Sequence, residues 1–340
     1  MPTASRTAPA VLAGVLLLAA CGSQSASPGD GDGRVRAETL CPSDFQRYES
    51  APPAEPSVTA TGTPTSLPLR SSYEGVEDGV KITRLFAWGP KSGCAGVDYS
   101  ADFEVTNRET ETVTYTVTIG FLSPTGGAVD NVEKTVETVG PGRTVKGTAV
   151  MAQTAITAPE VTGAQVVKVR GVPADEASSA SGPCPASGVR LYADQGDAAM
   201  GLRVVGLHLV NCGSEPYRVN GYPKLELHDE DHDTVDGVRI LDGTDRISTG
   251  TGGGGSPQPV VLRPGEAARA GLAWRNTTQA GDPVNVPYLR VWAKPGADPV
   301  MVVPELDLGT TGKLGVGPWK KDDTYRDPAA TAPRGAPSPR

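Results

Sequence analysis

The chain has 340 residues, with 42 Gly and 31 Pro, only 4 Trp, 9 Tyr and 4 Phe, 38% apolar residues and a formal net charge of −8. Glycine without a three-residue period excludes collagen, and a single short apolar run excludes a multi-span membrane protein. The modest net charge argues against disorder throughout, and its acidic sign argues against nucleic acid as a partner.

In chain order, residues 1–20 read as an export signal. Arg6 supplies the positive end, and the apolar run Ala10 to Leu18 is too short to span a bilayer. The run closes as Leu18-Ala19-Ala20-Cys21-Gly22, which resembles a bacterial lipobox. That resemblance implies a diacylglyceryl group on Cys21 and membrane lipid as its partner, since two acyl chains anchor stably where one is marginal. No twin arginine is present, so the general secretory route is expected. Arginine outnumbers lysine 21 to 10, a signature of high-G+C DNA that suggests a high-G+C Gram-positive source. The expected location is the cell membrane, lipid-anchored, on its extracytoplasmic face.

Residues 21–70, rich in Gly, Ser, Pro, Thr and Ala, are expected to form a flexible, disordered tether. From 71 to 173 the pattern is that of strands. Tyr99, Ala101, Phe103 and Val105 alternate with polar residues, and Val113, Tyr115, Val117, Ile119 and Phe121 do so again. A period of two places one side of each strand on a core. Pro141-Gly142 suits the middle of a tight turn. After a linker at 174–183, a second strand series fills 184–318, and a disordered tail is expected at 319–340. No stretch sustains helical periodicity, so the fold class is all-β, read as two tandem Ig-like β-sandwich domains. Both halves place an Asn at a strand end (Asn107, Asn211) and a later Pro-Gly turn. Duplication of one sandwich would account for this layout, but such turns recur in any all-β chain, and shared turn chemistry is the favoured reading.

With Cys21 lipidated, Cys41, Cys94, Cys184 and Cys212 remain. An even count in an oxidising compartment suggests two bridges, with three pairings open. Pairing of neighbours, Cys41 with Cys94 and Cys184 with Cys212, keeps each bridge in one half. No C-x-x-C spacing points to zinc.

The second half carries Cys184-Pro185-Ala186, Leu207-His208-Leu209-Val210-Asn211, Gly221-Tyr222-Pro223, Leu262-Arg263-Pro264-Gly265-Glu266 and Leu272-Ala273-Trp274. Together with Tyr288-Leu289-Arg290-Val291, these residues resemble the bacterial family called domain of unknown function 4232. The resemblance implies exported β-sandwich domains, often on lipoproteins of high-G+C Gram-positive bacteria, and carries over fold and location but no activity, since the family has no established catalytic residues. Two departures stand out: Cys212 directly follows Asn211, and no cysteine follows it.

The densest polar feature is His228, Asp229, Glu230, Asp231, His232 and Asp233, followed by Asp236. Asp229, Asp231 and Asp233 have the alternate spacing that opens a calcium loop, but Thr234 replaces the required glycine and Ile240 the closing glutamate. A looser divalent-metal site on His228, Asp229, Asp231, His232, Asp233 and Asp236 is the functional reading; a solvated hairpin with residue 228 pointing outward is the plainer one. The run 250–255 lacks the Lys-Ser/Thr of a phosphate loop and reads as a loose excursion. No nucleophile motif accompanies the three histidines, and no cofactor is expected. Trp292 falls out of phase with Leu289, Val291 and Ala293, so it is expected on an outer face able to meet an envelope protein or a glycan. The functional expectation is a membrane-anchored lipoprotein acting as a non-catalytic binding or envelope-structural module. The alternative is a ligand- or divalent-metal-capturing lipoprotein using the acidic hairpin 228–236, and a cryptic hydrolase comes third.

Overall fold

Alternation along the first half becomes two facing sheets in the computed structural model, which describes residues 39–42, 61–69, 78–89, 92–152 and 160–326. The export signal, Cys21, most of the tether and the tail beyond 326 lie outside the described residues. The first half contains β1 (Thr39–Leu40), β2 (Thr61–Gly62), β3 (Thr65–Leu67), β4 (Val80–Ala87), β5 (Val97–Thr106), β6 (Val113–Leu122), β7 (Ala128–Val139), β8 (Thr144–Ala152) and β9 (Gly163–Pro173). One sheet runs β3-β4-β5-β8 and the other β7-β6-β9. Ile82, Phe103, Met151, Val117, Ile119 and Phe121 meet between them, on the sides the alternation assigns. Full burial of each such side chain stabilises the fold by about 1.5–3 kcal/mol relative to exposure.

The second half contains β10 (Val189–Ala193), β11 (Asp197–Ala199), β12 (Leu202–Asn211), β13 (Tyr217–Val219), β14 (Lys224–His228), β15 (Arg239–Asp242), β16 (Val260–Leu262), β17 (Ala267–Arg275), β18 (Asn285–Val286), β19 (Tyr288–Trp292), β20 (Val300–Val302), β21 (Leu306–Asp307), β22 (Lys313–Val316) and β23 (Lys320–Asp322). The large sheet runs β10-β12-β17-β22-β15, with β11 and β23 added along β12 and β17. Its inner side shares a second core with β13-β16 and β14-β19-β20, built on Leu207, Leu209, Leu262, Leu272, Trp274 and Leu289. Among the described residues there is no α-helix. The fold is all-β, and both disulfides join sequence neighbours, Cys41–Cys94 and Cys184–Cys212.

The structure corrects several expectations at the edges. Residues 61–67, expected in the tether, are sheet: β2 pairs with β1 and β3 with β4, while Leu67 and Leu69 pack on the first core. Pro64 and Pro68 bracket β3, where an edge strand tolerates proline. The tail does not begin at 319. Trp319 is 1% exposed, its indole N–H donates to the Ala293 carbonyl at 2.9 Å, and β23 follows directly. The run 250–255 is tied down as well: Lys320 Nζ donates to the carbonyls of Gly252 and Gly254, both at 2.8 Å. Gly253 lies against Gly271 of β17 and Gly317 just beyond β22, and a Cβ on it would sit 2.5 Å from Thr244 Oγ1. Glycine is there for close approach of backbones.

The two halves share more than turn chemistry. Asn107 Nδ2 donates to the carbonyls of Glu111 and Val139, both at 2.7 Å, and its Oδ1 accepts from Glu109 N at 2.8 Å. Asn211 Nδ2 donates to Glu215 and Leu262, both at 2.8 Å, and its Oδ1 accepts from Gly213 N at 3.1 Å. In the main chain, Asn107 N donates to Arg143 O and Gly142 N to Asn107 O. Asn211 N likewise donates to Glu266 O, and Gly265 N to Asn211 O. Both asparagines are fully buried, where each polar atom must be paired. Their offsets match too: the next strand opens six residues on, at Val113 or Tyr217, and the Pro-Gly turn follows Val139 or Leu262.

Candidate functional site

The acidic hairpin after β14 folds inward as well as outward. His228, expected to face solvent, is 5% exposed. Its Nδ1 lies 2.8 Å from the His232 carbonyl and its Nε2 3.0 Å from Glu226 Oε1. Asp229 Oδ1 accepts from the main-chain N–H groups of Asp231 and Asp233, so it shapes the turn. The His232 ring stacks on Tyr288 with centroids 4.1 Å apart. Asp231, Asp233 and Asp236 are exposed. Among the described residues, no three His, Cys, Asp or Glu side chains are grouped to hold a metal ion. The six residues expected to do so are spent separately, on the turn, on the core wall and on solvent.

The hairpin's neighbour Glu230 reaches the first half instead. Arg170 on β9 grips two carboxylates at once. Nε donates to Glu305 Oε1 at 2.7 Å and Nη2 to Glu305 Oε2 at 3.1 Å. Nη1 and Nη2 donate to Glu230 at 2.6 and 3.1 Å. Burial opposes the charge of Arg170, but the two carboxylates outweigh it and raise its pKa further. Tyr288 Oη accepts from Gly171 N at 3.3 Å, and Val172, Tyr288 and Met301 form a small apolar cluster beside it. The linker joins the same junction. Ala177 bridges to Met301, and Arg290 Nε donates to Glu176 Oε2 at 2.7 Å. Segment 174–183, expected only to connect, is therefore docked at Glu176 and Ala177.

A second polar cluster lies on the outer side of the large sheet. His208 Nε2 is 3.0 Å from Asp194 Oδ2, and its ring stacks on Tyr192 with centroids 4.9 Å apart. Asp194 Oδ1 also accepts from the N–H groups of Gly206 and Gly196, and Oδ2 from Arg269. Burial pushes the Asp194 carboxyl up, but His208, the Gly206 N–H and Arg269 together hold it below the usual carboxylate range. A Cβ at Gly206 would sit 2.4 Å from Asp194 Oδ2, so glycine makes room for the carboxylate. The dyad orients the His208 ring between the Asp194 carboxylate and the Tyr192 ring.

Trp292 stands where alternation puts it, half-buried on the side of β19 opposite Leu289, Val291 and Ala293. Lys224, its register partner on β14, holds its ammonium 4.1 Å from the indole ring. Lys294 sits similarly 3.9 Å from the Tyr217 ring. Each ammonium covers part of the aromatic surface beneath it by a cation–π contact.

Sequence reasoning missed Arg170, Glu305, Tyr288 and Asp194, whose partners lie up to 135 residues away. Their signal in the sequence is slight: Arg170, like Lys168, simply alternates with the valines of β9. No curated protein matches the chain. Residues 184–320 match the model of the family described as Domain of unknown function (DUF4232), so the second half of the chain is similar to that family.

Proposed function

We propose that the protein is a lipid-anchored lipoprotein of the extracytoplasmic membrane face that binds a partner without catalysing a reaction. Supporting the anchor are the apolar run closed by Leu18-Ala19-Ala20-Cys21 and the two disulfides, which suit an oxidising compartment. One observation carries the binding role. His208 and His228 are committed to structural hydrogen bonds and His232 to a ring stack, while Trp292 and Lys224 face outward from a firm sheet. The partner is an envelope protein or glycan, recognised by stacking and by the lysine ammonium.

Replacing Cys21 tests the anchor. Cys21→Ser abolishes acylation, so the protein should move from the membrane fraction to the soluble extracytoplasmic fraction. Unchanged membrane association of the variant would overturn the lipid-anchor reading.

A further inference from the structure

The two disulfides stand in opposite surroundings. Cys94 is 5% exposed and packs with Trp88, Val97 and Val150, and the half-buried Cys41 packs against the same cluster. The β2 backbone closes over it: a Cβ at Gly62 would lie 2.5 Å from Cys94 Sγ and 2.5 Å from the Ser92 carbonyl. β2 therefore covers the Cys94 end of the bridge. Cys184, by contrast, is exposed and Cys212 half-buried. Both line an open cavity of about 630 Å³, walled by Pro185, Gly188, Gly213 and Pro216.

The turn beside this bridge has hydrogen bonds of its own. Cys212 follows Asn211, whose hydrogen bonds order the turn. Asn107 makes the equivalent set in the first half, where Arg108 stands in the position of Cys212 and no bridge is present. The exposed bridge can therefore open while the asparagine keeps the turn closed. Opening it would release the covalent tie at residue 184, while Arg190 Nη2 still donates to the Gly182 carbonyl at 2.6 Å and Gly213 N to the Gly188 carbonyl at 2.8 Å.

We propose that Cys184–Cys212 is a thiol–disulfide exchange site whose substrate is an extracytoplasmic dithiol, whereas Cys41–Cys94 is purely structural. The dithiol's thiolate attacks Sγ of the exposed Cys184; the Cys184–Cys212 bond breaks and Cys212 leaves as a thiolate. The second thiol of the reductant then attacks the mixed disulfide and releases the Cys184 thiolate. Two electrons pass to the protein, and the dithiol is oxidised to its own disulfide.

The full mature chain is incubated with dithiothreitol at neutral pH without denaturant, alkylated at intervals and mapped by mass spectrometry. Cys184 and Cys212 should be alkylated on the order of tenfold faster than Cys41 and Cys94, with near-ultraviolet circular dichroism retained. Equal rates at all four cysteines, earlier loss of Cys41–Cys94, or loss of tertiary signal together with the first bridge would overturn the proposal. A second measurement assigns the attacked sulfur. Cys212→Ser leaves Cys184 as a free thiol that should react with Ellman's reagent in the folded chain, faster than Cys212 does in Cys184→Ser. A slower Cys184 would contradict the direction of attack.

Discussion

Asn107 and Asn211 do the same work in two different cores: each amide donates to the carbonyl four residues on and to a carbonyl on a distant strand. Each also accepts from the main-chain N–H two residues on and receives the Pro-Gly turn at its own carbonyl. Removing either amide leaves one buried carbonyl, Val139 or Leu262, without its donor and frees a second, part-buried one at Glu111 or Glu215. Asn107→Ala and Asn211→Ala should each destabilise the fold by about 2–4 kcal/mol in denaturant melts. Because the two sites share no partner, the double variant should lose the sum to within about 0.5 kcal/mol. Asn→Asp at either position should be no better than Ala, since a carboxylate cannot donate to a carbonyl.

Arg170 holds the two halves together through Glu230 and Glu305. Glu230 is well exposed, so the loss on Arg170→Ala should be modest, about 1–3 kcal/mol. The sharper effect is local. With the clamp gone, segment 174–183 should be cut by a non-specific protease on the order of tenfold faster, while each core stays protected. Arg170→Lys should fall nearer to Ala than to the parent, because an ammonium cannot fork onto two carboxylates. Unaltered cleavage in Arg170→Ala would show that Tyr288 and Met301 suffice.

The Asp194 carboxyl carries a signed pH dependence. Its pKa is lower in the folded chain than the ordinary value of about 3.9, so the unfolded chain binds more protons in the acid range. The stabilisation it brings is complete above that ordinary value and is lost as pH falls through the lower folded value. Asp194→Asn should therefore be less stable than the parent near neutral pH, with the gap narrowing in acid below about pH 4. Thermal melts of both proteins across that range check the sign; a gap that widens in acid would refute it.

Gly253 is needed for space, because a Cβ there would meet Thr244 Oγ1 at 2.5 Å and Cγ2 at 2.7 Å. Gly253→Ala should cost about 1–3 kcal/mol by overpacking. Gly140→Ala, where the nearest atom is Arg143 Cγ at 3.5 Å, is the matched control and should be close to neutral.

What the sequence made legible followed from periodicity and from single-residue chemistry. Val113 to Phe121 could lie only as a strand with one side inward, and Pro141-Gly142 could only turn. Trp292 fell on the outer side because Leu289, Val291 and Ala293 had claimed the inner one. The junction was not legible, because Arg170 and Glu305 are 135 residues apart and nothing in either neighbourhood names the other. His228 misled for a related reason: alternation gives the side of a strand, not what later covers that side. Trp319 and β23 were hidden by the charged, proline-rich residues that follow, which colour the composition of the whole segment. The short strands β11, β15, β18 and β21 carry too few residues for a period of two to register.

The proposal that this chain is a binding module rests on the outward Trp292 and Lys224, and a photoreactive amino acid placed at position 292 in living cells tests it most directly. Illumination should yield a reproducible crosslinked partner at 292 that is absent when the same group is placed at Arg239, on the exposed edge strand β15. A crosslinked set at 292 that is empty, or no different from that at 239, would contradict it.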